Sequence, residues 1–157
     1  MHSGRIILAL ASHFDWWRNK MMTEYYVDGG QADLIFISQA GYLTEIEVKV
    51  SRADWKHDLT KDKWRKPRPH VARFFYAVPE KLAADIPEWV PAEAGILAVI
   101  EREWSDHIKE IRPAKRRKAL KIDDRMRRHI DERCYGRFWG HYLDGMRNRR
   151  GRIEHTD

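Results

Sequence analysis

The chain has 157 residues, 43% of them hydrophobic and 34% charged, with 30 Lys and Arg against 24 Asp and Glu for a net charge of +6. That length and apolar share suit one domain with a short appendage and exclude wholesale disorder. A lone cysteine, Cys134, excludes an internal disulfide, and the lack of any apolar run of about 18 residues excludes a membrane-spanning helix.

Ile6, Ile7, Leu10, Phe14 and Trp17 recur at near-helical spacing, which predicts an amphipathic helix over 5–20. Its short apolar stretch runs at once into Asp15-Trp16-Trp17-Arg18, so it reads as a first helix and not a cleaved leader, and the expected compartment is the cytoplasm. Residues 23–28 are rich in strand formers, Gly29-Gly30 signals a turn, and 32–37 reads as a second strand. After a turn at Gln39-Ala40-Gly41, residues 42–50 alternate and complete a three-stranded meander. Ser51 is the expected N-cap of a helix over 52–64, with Asp54 in its first turn and Pro67 and Pro69 closing it. The apolar runs 71–78 and 95–100 read as buried strands, separated by a helical turn at 81–84 and a loop over 87–91. Residues 107–111 fit an edge strand, and 119–134 and 137–147 two helices. Antiparallel strands followed by a crossover predict an α/β fold with a mixed central sheet.

Charge is uneven. Residues 1–101 hold 13 basic and 14 acidic side chains, whereas 102–157 hold 17 basic and 10 acidic. The excess gathers at Lys115-Arg116-Arg117-Lys118, at Arg125, Arg127 and Arg128, and at Arg147, Arg149, Arg150 and Arg152. Such clusters neutralise phosphates, so a nucleic acid is the expected partner. A solvated helix face and a frayed tail are the plainer explanation.

Three residues suggest chemistry. Glu47 and Lys49 are two apart on one strand and leave the same face, as does Glu45. Asp33 interrupts the apolar run of the preceding strand, and the hairpin brings it laterally close to Glu47. Charges in a core strand are costly unless paired or bound to metal. Two converging carboxylates suit Mg²⁺, with Mn²⁺ an alternative, and Lys49 is placed to orient water or steady phosphoryl charge. An antiparallel meander with one wet face is the competing explanation.

The Asp33 … Glu47-Val48-Lys49 run resembles the PD-(D/E)XK nuclease motif, with Ala32 standing where that name has Pro, and the element order resembles the restriction-endonuclease-like αβββαβ core. The series Ala32-Asp33-Leu34, Glu47-Val48-Lys49-Val50-Ser51, Ser51-Arg52-Ala53-Asp54-Trp55 with Asp58, Lys63-Trp64, 73–79 and 94–97 is similar to MmcB-type DNA repair proteins over roughly 23–112. The resemblance implies that Asp33 and Glu47 bind the metal, that Lys49 is catalytic, and that an acid from the first elements, Glu24 before Asp15, adds a ligand. It implies a metal-dependent DNA nuclease of repair, recombination or mobile-element processing, and it allows a homodimer. The alternatives are a non-catalytic DNA-binding accessory on the same fold and a basic RNA or protein adaptor.

Ser51, Arg52 and Lys56, at the start of the helix after Lys49, are expected to touch phosphate. With them go Lys115, Arg116, Arg117, Lys118, Arg125 and Arg128 as the DNA grip. The nuclease core is assigned to 1–112 and a basic helical extension to 113–157. Tyr135, Phe138, Trp139 and Tyr142 interleave with that charge; at helical spacing they are expected to pack on the core rather than stack on bases. His129, Cys134 and His141 match no zinc-ligand spacing, and Cys134 is expected to be buried.

Overall fold

The computed structural model describes residues 1–58 and 67–153, with side chains through residue 145. The chain orders as α1 (Ser3–His13), β1 (Lys20–Val27), β2 (Gly30–Ile37), β3 (Leu43–Val48), α2 (Arg52–His57), β4 (Val71–Pro79), α3 (Glu80–Ala83), β5 (Gly95–Ile100), β6 (His107–Arg112) and α4 (Asp124–Ile153). The first six elements run αβββαβ, and the fold is mixed α/β as expected. Residues divide into two units, Met1–Ile122 and Asp123–Asp157, so the boundary follows Ile122 rather than Arg112.

All six strands form one sheet in sequence order. β1, β2 and β3 are antiparallel, β3, β4 and β5 run parallel, and β6 returns antiparallel at the far edge. The first hairpin turns on Asp28 and Gly29, with φ of 49° and 76°, and Gly30 already pairs with Val27. Two positive φ values match the primed turns that suit strand twist. Hence the turn sits one residue earlier than Gly29-Gly30.

Ile6, Ala9 and Leu10 of α1 share one helix face and pack on Leu34, Ile46, Val48, Phe75, Ala77, Leu97, Val99 and Ile108. The helix is shorter than the expected 5–20. Phe14 N–H still bonds Leu10 O, but Asp15 takes a φ of 52°, and its carbonyl then accepts from Arg18 and Asn19 in a tight turn. Trp17 therefore continues no helix and is exposed. β1 begins at Lys20, three residues before the expected start at Thr23.

α2 is capped as expected, with the Ser51 hydroxyl accepting from Asp54 N–H at 3.1 Å. Asp54 returns a bond from Val50 N–H at 3.1 Å. The part of the expected helix over 59–64 lies outside the described residues.

The segment 113–123 is not helical. It is an extended strap whose backbone N–H groups at Lys115, Arg117, Leu120 and Ile122 donate to the carbonyls of Glu93, Ala72, Pro69 and Gly41. Those acceptors lie at or before the starts of β5, β4 and β3. The strap thus offers main-chain partners where each parallel strand begins, and these long-range bonds leave no helical periodicity to read.

In the second unit, α4 is one continuous helix through Gly136 rather than two pieces, and Asp123 caps it through Met126 N–H at 2.7 Å.

Candidate functional site

β3 lies between β2 and β4, and all six of its residues are buried. That removes the wet-face explanation, because no face of this strand meets bulk water. Leu34 pairs with Ile46 and Ile35 with Glu45, so the register carried one step further sets Asp33 across from Glu47. The ladder stops there, and the Asp33 side chain takes over: its Oδ2 accepts from Val48 N–H at 2.8 Å. Asp33 thereby ties the end of β3 while remaining half-exposed.

Glu47 is 1% and Lys49 3% exposed. Lys49 Nζ lies 3.4 Å from Glu47 Oε2 and 3.2 Å from Asp58 Oδ1, and Asp58 Oδ2 accepts from the Tyr76 hydroxyl at 2.9 Å. Burial is the largest single influence on Lys49 and opposes its charge. The fields of Asp58, Glu47 and Asp33 and the Asp58 hydrogen bond together outweigh it, holding the ammonium above the ordinary lysine value. A lysine held so is a fixed cation at neutral pH and not a base.

Asp58 and Tyr76 join this cluster, a placement that pattern reading did not assign them. Asp58 follows the short helix α2 and comes back to Lys49 only because Trp55, fully buried, anchors that helix against the rings of Tyr76 and Trp89. Tyr76 pairs with Glu47 across the parallel β3–β4 ladder, which sends both side chains to one face. That parity was a usable signal. Glu45, on the same face, is fully buried and ion-paired with Arg68.

Other expected site residues lie elsewhere. Glu24 faces Asp33 in the β1–β2 register, but it is exposed and its φ of 51° breaks the ladder there. Among the described residues no three His, Cys, Asp or Glu side chains converge into a metal cage, so Glu24 does not join Asp33 and Glu47 in one. Asp15 precedes Lys20, which pairs with Ile37, four residues along β2 from Asp33. Ser51 is committed to its cap and Arg52 to an ion pair with Asp85, while Lys56 is exposed. With the Asp54 carboxylate already at the start of α2, that helix end is not an open anion site.

Lys115, Arg116 and Lys118 are exposed and Arg117 half-buried on the strap. They sit by the strand starts, whereas Glu47 and Lys49 sit at the end of β3, about 20 Å away at ~3.3 Å per residue. The basic run does not surround the carboxylates. In the second unit Arg125 and Arg128 are exposed, and so are Cys134, Tyr135, Phe138, Trp139 and Tyr142, contrary to the expected packing.

Two carboxylates with one adjacent cation suit Mg²⁺, which binds through one or two carboxylates and keeps several waters. Asp33 and Glu47 are the residues that fit.

A mixed six-stranded sheet that sets an Asp across from a Glu-X-Lys on neighbouring strands defines an α/β protein consistent with the restriction-endonuclease-like core. The family model for DNA repair protein MmcB-like matches residues 5–130, and the chain belongs to that family. A solved structure, the SPO1766 protein of unknown function from Silicibacter pomeroyi, is similar with a TM-score of 0.62 at 22% identity. The match covers 96% of this chain and 94% of that one and shows the fold. No curated protein matches significantly. Among the described residues no helix is long and apolar enough to cross a membrane.

Proposed function

We propose that this MmcB-like protein is a metal-dependent deoxyribonuclease acting in DNA repair. The observation that carries the reading is the register of β2 on β3, which sets Asp33 across from Glu47 with Lys49 buried beside them. Asp33 and Glu47 would hold a divalent cation, which supplies Lewis-acid polarisation of a phosphoryl oxygen and acidifies a bound water. Lys49, kept protonated by its acids, stabilises the charge that develops on the phosphoryl oxygens as the bond breaks. Asp58 and Tyr76 hold the ammonium in place. The sheet beneath is buried, so these groups need little reorganisation during the reaction.

The test is cleavage of labelled duplex, single-stranded, nicked and branched DNA in Mg²⁺ or Mn²⁺. The expected result is cutting that EDTA abolishes and that Asp33→Ala and Lys49→Ala lose by at least ~100-fold, with DNA binding retained. Cutting at the wild-type rate in both variants would overturn the assignment. No cutting on any DNA form, with salt-sensitive binding intact, would instead make the protein a DNA-binding accessory.

A further inference from the structure

Tyr135, Phe138, Trp139 and Tyr142 fall at i, i+3, i+4 and i+7 of α4 and so share one face. Their exposures are 68%, 61%, 40% and 51%. The rings lean on one another: Phe138 stacks near parallel to Tyr142 at 6.2 Å, and Trp139 meets Tyr142 edge-on at 5.5 Å. Large aromatics usually anchor interiors, so four together in water point to a ligand.

The surrounding charge selects the ligand. From 125 to 153 the sequence holds nine Arg against Asp131, Glu132 and Asp144. Arg128 is exposed and lies seven residues before Tyr135, two turns along the same face. In the sequence, Arg149 and Arg150 follow Tyr142 and Leu143 by seven. Rings and Arg also mark protein interfaces, but the charge here is one-sided, which favours a polyanion over an apolar partner. This face has flat rings on an Arg-rich helix, complementary to a polyanion that carries π faces of its own. Duplex DNA hides its base faces; a single strand offers them. The rings span about 10 Å, three nucleotides at ~3.4 Å each.

We propose that this face is a stacking platform for a single DNA strand. The inference rests on the DNA-processing reading only for the identity of the polymer. It also narrows that reading to substrates with an unpaired segment. It is tested with the full chain in EDTA, where cleavage plays no part, by fluorescence anisotropy of labelled oligo-dT and of a duplex of equal length. Wild type should favour the single strand. The double variant Trp139→Ala/Tyr142→Ala, at two exposed positions, should lose at least ~10-fold on oligo-dT with little change on duplex and an unchanged circular dichroism spectrum. Equal oligo-dT affinity in variant and wild type would overturn the proposal, as would a wild-type preference for duplex. So would a wild-type dimer in sedimentation that the variant breaks without loss of strand binding, since the face would then belong to a second copy. A nuclease assay that fails while this binding pattern holds would sink the catalytic reading alone.

Discussion

Asp58 Oδ1 lies 3.2 Å from Lys49 Nζ, and it reaches the end of β3 from beyond α2. Because the acids raise the folded-state pKa of Lys49 above its value of 10.5, its charge contributes stability that is complete below pH 10.5. The contribution is lost as pH rises through the folded value. Asp58→Asn removes the leading acidic influence, so burial acts with less opposition and the Lys49 pKa falls. The basic limb of the pH–rate profile should move to lower pH, and stability at pH 7 should drop by about 3 kcal/mol, the order found on breaking a buried pair. NMR titration of the Lys49 side chain and urea unfolding check both. An unmoved titration would show that Glu47 and Asp33 suffice.

Glu45 and Arg68 form a second buried pair on the same sheet face, and Arg68 also donates to Val27 O at 3.2 Å. Arg68→Met leaves the Glu45 carboxylate in a dry interior and should cost about 3–5 kcal/mol. Adding Glu45→Leu should recover most of the loss, because two apolar side chains can replace a buried ion pair. Chemical denaturation of the three variants measures this. A double variant no better than the single one would show that Glu45 has a role beyond pairing with Arg68.

What the sequence made legible followed from local pattern. Alternation and turn residues located β2, β3 and the Asp28-Gly29 hairpin to within a residue or two, and the Glu-X-Lys parity put Glu47 and Lys49 on one face. What it hid depended on long-range contacts. Asp58 reaches Lys49 because Trp55 packs on Tyr76, a contact that no spacing records. The strap has apolar Ala119, Leu120 and Ile122 near basic residues, which mimics an amphipathic helix. It is extended because distant carbonyls claim its N–H groups. α1 ends early because the chain reverses at Asp15, a residue whose short polar side chain tolerates positive φ. The aromatic face of α4 misled in the other direction, since helical spacing identifies a face without telling what covers it.

Gly95 starts β5 where the strap passes closest. A Cβ there would come within 2.3 Å of the Phe75 ring and 2.7 Å of the Ala114 backbone nitrogen. A ring can shift, but the strap backbone is held by the Lys115 N–H bond to Glu93 O at 3.0 Å. Gly95→Ala should therefore destabilise by about 2–3 kcal/mol through overpacking, read as a lower midpoint in thermal or urea unfolding. A neutral result would mean that the strap is not seated against β5 in solution.

On the proposed reading, the basic run on that strap grips phosphate away from the carboxylates. Arg116 lies over the Tyr42 ring at 5.1 Å and, with Phe36, Ser38, Thr44, Ala72 and Arg73, lines a groove of about 200 Å³ at the end of the sheet away from Lys49. Charges so placed can hold a phosphate backbone without touching the bond that breaks. Lys115→Ala/Arg116→Ala/Lys118→Ala should lower the slope of log K against log salt by about 2.7 for duplex DNA, at ~0.9 for each phosphate no longer neutralised. Affinity should fall at every sequence alike, since groups that touch only phosphate carry no base information. The cleavage rate at saturating DNA should stay near wild type, because about 20 Å of strand separates the run from Glu47 and Lys49. Binding across a salt series together with single-turnover cleavage separates the two effects. A fall in the saturated rate with an unchanged salt slope would place the strap in the chemistry rather than in the grip.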